Sequence, residues 1–113
     1  MNAVTSLVLD EDKSIDDMKA AAEEACQLVK SIGSPFRLMI LCALTQGEMT
    51  VGQLQEFIDA RQSLTSQHLS RLRQEGLVKA RRVDQRVFYS LSNPVAGEIV
   101  AILYNHFCGK KPD

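Results

Sequence analysis

Hydrophobic positions recur with two different periods along this chain, and the switch between them marks off its parts. Behind Ser14, with Asp17 three residues on in a capping-box arrangement, Ile15, Met18, Ala22, Ala25, Val29 and Ile32 fall at spacings of three and four. That spacing predicts an amphipathic helix with a single apolar stripe, stopped by Gly33. "SPFRLMILCALTQG" predicts a second helix, with Ser34 as cap, Pro35 at the first position and Gly47 past the end. It is apolar on most sides and so belongs at the centre. Thr50 is placed to cap a shorter helix, "VGQLQEFIDA", with Leu54, Phe57 and Ile58 turned inward. Ser63 is placed to cap the next, which runs to Glu75 and ends at Gly76, a residue free to take the left-handed conformation.

The period then falls to two. Val78 and Ala80 share one face of a strand and Lys79 and Arg81 the other. After a polar turn at Val83, Asp84 and Gln85, a second strand directs Val87, Tyr89 and Leu91 inward and Arg86 and Ser90 outward. Asn93 and Pro94 open a last helix on which Val95, Ile99, Ile102, Leu103 and Phe107 line up. With Val100 and Ala101 added, this helix is apolar over too much of its circumference to face water. Another surface must cover it, and the small-residue stripe of the first helix is a natural neighbour in a dimer interface. The predicted fold is mainly α with a β-hairpin wing: four helices, two strands and a fifth helix, paired through the first and last helices. A short helix, a tight turn and a polar-faced second helix make a helix-turn-helix, and the hairpin behind it makes the wing. At 113 residues the chain is one domain by length. Residues 14–108 are expected to form it, between an acidic arm at 1–13 and a tail at 109–113.

Charge sharpens this picture. Through Ala60 there are four basic residues against ten acidic ones, whereas from Arg61 to Leu91 there are seven basic (Arg61, Arg71, Arg73, Lys79, Arg81, Arg82, Arg86) against Glu75 and Asp84. A polyanion meets that local excess of five, whatever the whole-chain balance of −1. On a helical wheel Leu69 and Leu72 fall to one side with Thr65 between them, and Ser63, Gln67, Ser70 and Gln74 form a stripe on the other, flanked by Ser66 and Arg71. Hydroxyls and amides on an exposed face suit a helix lying in a major groove, and wing arginines suit phosphate or a minor groove. Gln62, Ser63, Ser66, Gln67, Ser70 and Arg71 on the helix, with Arg81, Arg82 and Arg86 on the hairpin, are the candidate DNA contacts. The bland alternative is a solvated basic face. His68 lies at the edge of the apolar side, where a packed, hydrogen-bonded histidine is expected.

No apolar run reaches the roughly 18–20 residues that span a bilayer, and the N-terminus lacks a basic segment followed by an apolar one, so a cytoplasmic protein without membrane contact is expected. There the three cysteines are free thiols, metal ligands or redox sensors rather than structural disulfides. Taken as residues alone, Cys42 reads as a small core side chain and Cys108 as a thiol near the chain end. Cys26, beside the first helix's stripe, reads as a small buried hydrophobe. Leu38, Leu41 and Leu44 around Cys42 should raise its pKa by desolvation; a helix C-terminus disfavours a thiolate at Cys108, with Lys110 and Lys111 partly opposing this. There is no CxxC pair, His106 points off the face of Cys108, and nothing resembles an oxyanion site, so no enzyme and no cofactor are expected. A dimeric scaffold without DNA binding remains a third class.

"SQHLSRLRQEGLVKARRVDQRVFYSL" resembles the recognition helix and wing of the ArsR–SmtB family of winged-helix repressors, and the resemblance extends over about residues 15 to 108. It implies a symmetric dimer on inverted-repeat operator DNA that is released when an inducer binds. Metal-sensing members place a cysteine pair on the third helix, where this chain has Val51 and Gly52 in "MTVGQL", or histidines and carboxylates along the last helix. Here that helix offers Glu98, His106 and Cys108, with Asn93 and Val95 near its start, so no metal site is expected. Cys42 and Cys108, 66 residues apart in "LMILCAL" and "NHFC", resemble the sensing dithiol of the persulfide-sensing branch (the SqrR, BigR and HlyU type). That resemblance implies a reduced dithiol that permits operator binding and a di- or polysulfide bridge that ends it, with persulfide or polysulfide as inducer. A general thiol-oxidation sensor stays open beside it, as does, with less support, a metal-sensing repressor.

Overall fold

A computed structural model describes residues 14–109, so the acidic arm, Lys110 and Lys111 lie outside the described residues. α1 (Ile15–Ile32) starts as the sequence predicts: the Ser14 hydroxyl accepts the Asp17 amide at 3.1 Å and the Asp17 carboxylate accepts the Ser14 amide at 3.3 Å. The pair satisfies two amides that a helix N-terminus leaves without partners. Gly33 ends α1, and α2 (Pro35–Leu44) leaves at 92° to it, capped by Ser34 with Pro35 at its first position. No single helix among the described residues is long and apolar enough to cross a membrane.

α2 occupies the centre, with Ile40, Leu41, Ala43 and Leu44 buried. Against it pack α3 (Val51–Ile58), α4 (Gln62–Gln74) and α5 (Pro94–Cys108). The antiparallel hairpin of β1 (Val78–Val83) and β2 (Arg86–Leu91) pairs Val78 with Leu91 and Val83 with Arg86. A bridge between Met49 and Tyr89 ties its base to the loop before α3. Asp84 turns the hairpin at φ 57, a conformation Asp tolerates better than most residues. Leu54, Leu69, Leu72 and Val100 are among the other large apolar side chains buried almost completely. Each such side chain contributes about 1.5–3 kcal/mol by leaving water.

The element order, helix-helix-helix-helix-strand-strand-helix, is the predicted one. Several local expectations are corrected. Ser63 is not a cap: α4 starts two residues earlier, at Gln62 behind Arg61, which is extended and gives no side-chain cap bond. The Arg61 carbonyl instead accepts both the Thr65 amide and the Thr65 hydroxyl, at 3.1 and 3.0 Å. α3 stops at Ile58 rather than Ala60, because Asp59 takes φ 53 and Ala60 closes the turn onto the Gln55 carbonyl. Phe57 is not inward; Leu54 and Ile58 fill the contact with the core, and Phe57 is left 58% exposed. Cys26 is exposed rather than buried, since α1 turns almost none of its length toward the chain's own core. Alternation along β2 is blunted: Ser90 is half-buried like Val87, Tyr89 and Leu91, while Arg86 points outward as expected.

Candidate nucleic-acid interface and thiol site

The helix-turn-helix is α3, the turn at Asp59–Arg61, and α4. α3 is set by a full capping box, with the Gln53 side chain accepting the Thr50 amide at 2.9 Å and the Thr50 hydroxyl accepting the Gln53 amide at 3.2 Å. Thr65, Leu69 and Leu72 anchor one side of α4 in the core. Gln62, Ser63, Gln67, Ser70 and Arg71 are consequently all exposed, and Ser66 is half-buried at the margin. This is the arrangement a groove-reading helix requires: an apolar edge fixing its roll, and short polar side chains free on the far edge.

The two basic clusters are not equally free. Arg81, on β1, is held by Glu48 in a two-point pair at 2.6 and 2.7 Å, and its guanidinium lies 5.2 Å from the Phe88 ring centroid. The hydrogen bonds from Arg81 hold the Glu48 carboxyl below the usual range. Arg86 lies over the same ring at 5.3 Å. Arg82 and Arg86 form no ion pair among the described residues. On α4, Arg71 pairs with Glu75 at 3.0 Å. Glu75 also accepts the Ser31 hydroxyl at 2.7 Å and the Gln27 amide at 3.0 Å, so one carboxylate ties the end of α4 to α1. The Ser31 hydroxyl is the first cause that lowers the Glu75 pKa, with Gln27 and Arg71 adding to it. The Glu48–Arg81 and Glu75–Ser31 partnerships were invisible in the sequence, because their members lie 33 and 44 residues apart. His68 is packed as expected but by stacking on Phe36, with centroids 5.6 Å apart, and it makes no side-chain hydrogen bond among the described residues; burial, with Arg37 nearby, pushes its pKa down.

The thiols lie on the other side of α2. Cys42 faces α5, its Sγ 3.9 Å from the Val100 carbonyl oxygen. Cys108 is the last residue of α5. Both line a groove of about 380 Å³ whose walls are Leu38, Met39, Phe57, Leu103, Tyr104 and Phe107. All three cysteines are unbridged, with Cys26 and Cys108 exposed and Cys42 half-buried. Burial pushes the Cys42 thiol up, and the nearness of Cys108 adds to it because two thiolates repel. The leucine-based expectation of a raised Cys42 pKa therefore has its cause in the packing. Cys26, on α1, is not part of this group. Among the described residues no three His, Cys, Asp or Glu side chains converge in a way that could hold a metal ion.

Comparison with known proteins bears on the DNA-binding region and the fold. The family described as "Bacterial regulatory protein, arsR family" matches residues 34–80, from the cap of α2 into β1. The chain is 38% identical over 96 residues to the biofilm growth-associated repressor of Xylella fastidiosa, covering 85% of this chain and 84% of that protein. It is 36% identical over 95 residues to the transcriptional activator HlyU of Vibrio cholerae, covering 84% and 88%. The solved structure of reduced HlyU from Vibrio cholerae superposes with a TM-score of 0.78 over 83% of this chain and 99% of that one, at 36% identity.

Proposed function

This chain belongs to the arsR family of bacterial regulatory proteins, DNA-binding transcriptional regulators, and from that premise we propose that it is a homodimeric repressor whose hold on an inverted-repeat operator is set by Cys42 and Cys108. Reduced, the dithiol permits binding; bridged by sulfane sulfur, it ends it. One of its relatives is named a repressor and another an activator, so the direction of control is part of the proposal.

Pairing is supported by bare apolar surface. Ile15, Met18 and Val29 on α1 are 50–64% exposed, and Val95, Ile102 and Phe107 on α5 are 52–74% exposed. A monomer rarely presents so much contiguous apolar area to water. Two-fold pairing through α1 and α5 covers it and sets two recognition helices toward successive major grooves, roughly 34 Å apart. Gln62, Ser63, Ser66, Gln67, Ser70 and Arg71 then meet base edges and adjoining phosphates, and Arg82 and Arg86 meet the backbone beside the wing. Arg81 takes a supporting role while Glu48 holds it.

The observation that carries the sensing half is the apolar groove Cys42 and Cys108 share. Desolvation keeps basal thiolate low at Cys42, so the exposed Cys108 is the first nucleophile. It attacks the outer sulfur of a hydropersulfide RSSH, forming a protein persulfide and releasing RSH; a second RSSH adds one more sulfur in the same way. Cys42 then attacks the sulfur bonded directly to Cys108 Sγ, and the terminal sulfur leaves as hydrogen sulfide. The balance is two thiols and two RSSH to one trisulfide, two RSH and one hydrogen sulfide. No separate oxidant is required.

Mass spectrometry of the Cys42 and Cys108 peptides after polysulfide treatment, run beside operator anisotropy, tests this. The expected result is one cross-linked species carrying extra sulfur and a parallel loss of DNA binding. Treatment with peroxide or diamide separates the broader thiol-oxidation reading, which requires a plain disulfide and equal release. Unlinked peptides, or normal release by Cys42→Ser, would remove the dithiol.

A further inference from the structure

The groove beside the thiols has one wall that belongs to neither thiol-bearing helix. Phe57 is the one residue of α3 that lines it. Cys42 also lines a second cavity of about 440 Å³, and there too Phe57 is the single contribution from α3. Three residues are common to both spaces, one from each helix: Cys42 of α2, Phe57 of α3 and Tyr104 of α5.

Phe57 is a large apolar side chain left 58% exposed, although its neighbours Leu54 and Ile58 are buried. α3 also packs on α4, the helix proposed to enter the groove of DNA. α3 is only 8 residues long and lies between the Thr50 capping box and the left-handed Asp59. A short helix bounded by two turns moves as one piece. Its aromatic ring stands where α2 and α5 must approach or separate if Cys42 is joined to Cys108.

We infer that Phe57 is the residue through which the state of the Cys42–Cys108 pair reaches the helix-turn-helix. The inference rests on the dithiol reading above. A bridge draws the end of α5 against α2, the space between them changes shape, and the Phe57 ring is driven with α3 relative to the core. Because α3 packs on α4, the recognition helix shifts with it. Phe57 takes no part in the sulfur chemistry; it is a positioning residue, and the quantity it controls is the ratio of operator Kd in the bridged and reduced states.

The test measures that ratio in the full chain for the parent, Phe57→Ala, Phe57→Leu and Met39→Ala, with the bridge quantified by mass in every sample. Met39 lines the same groove from α2 and has no place on α3, so it controls for loss of wall alone. In the parent the ratio is expected at about tenfold or more. Phe57→Ala should bridge as fully as the parent and bind operator when reduced, with its ratio falling to within about threefold of unity. Phe57→Leu, which keeps apolar bulk, should recover part of it, and Met39→Ala should match the parent. A parental ratio in Phe57→Ala, or an equal collapse in Met39→Ala, overturns the inference and leaves the dithiol reading standing. A parent that forms no bridge, or binds operator equally well when bridged, sinks that reading and this inference with it.

Discussion

The helix-turn-helix half of this protein and its outer-helix half, α1 with α5, solve their burial problem in opposite ways. α2, α3, α4 and the hairpin base bury Ile40, Leu41, Leu54, Leu69 and Leu72 almost completely, and α2 and α3 cap their starts from within the chain. α1 and α5 bury one edge through Ile32, Ala96 and Val100 and leave Ile15, Met18, Val29, Ile102 and Phe107 bare. The first half is complete in one chain. The second is finished by something else, and a two-fold partner is the economical candidate. On the proposed function, the difference divides the tasks: a closely packed unit to meet DNA, and an unfinished apolar seam beside the thiol of Cys108.

The contrast breaks most readily in the core. Leu54→Ala should cost about 2–5 kcal/mol in urea unfolding, because it leaves a cavity in fully packed surroundings. At Ile102, 68% exposed, a charge should spare the fold and weaken pairing instead. Ile102→Glu should raise the dimer dissociation constant more than about tenfold, read by light scattering across a dilution series. A dimer that ignores the change would mean that α5 is covered in some other way.

Glu75 joins the halves, and Glu75→Gln should lose about 1 kcal/mol, as a charged acceptor of three partners becomes neutral. Its pH signature has a definite sign. The folded-state pKa lies below the ordinary carboxylate value, so its contribution is full above that value and fades as pH falls through the folded one. The variant should show a shallower decline in stability on acidification; an unchanged acid slope would contradict the role. Arg82→Ala should reduce the salt slope of operator binding by about one while leaving sequence preference intact, measured by anisotropy from low to moderate salt. The smallest effect is expected at Glu48→Gln, which frees Arg81 for phosphate and should tighten binding slightly with a steeper salt dependence. Weaker binding would show instead that Glu48 holds the wing in its working pose.

The parts of this architecture set by neighbours in the chain were legible. The Ser14–Asp17 box, Pro35 at the start of α2, the left-handed Gly76 and the change of period at Val78 are local signals, and each element they bound is present. Ser63 misled because a serine near a helix start is a cap only when its own backbone is extended, and here Arg61 takes that conformation. Phe57 misled because its position on the wheel is marginal. In a helix of 8 residues two side chains suffice to fill the core contact, and the third apolar one is left outside. The Glu48–Arg81 and Ser31–Glu75 contacts depend on tertiary approach, which no local pattern encodes. At the thiols, sequence could pair Cys42 with Cys108 only through resemblance. Their common groove comes from α2 packing on α5, and the α3 wall of that groove had no signal at all.

The most direct test of the account follows one sample through a redox cycle. Reduced protein is saturated with labelled operator, polysulfide is added, and a dithiol reductant follows. Anisotropy should fall with the first addition and return with the second in the parent, and stay high throughout in Cys42→Ser and Cys108→Ser. Release by either serine variant, or a parent that keeps its DNA through the whole cycle, would contradict the claim that these two sulfurs govern the grip.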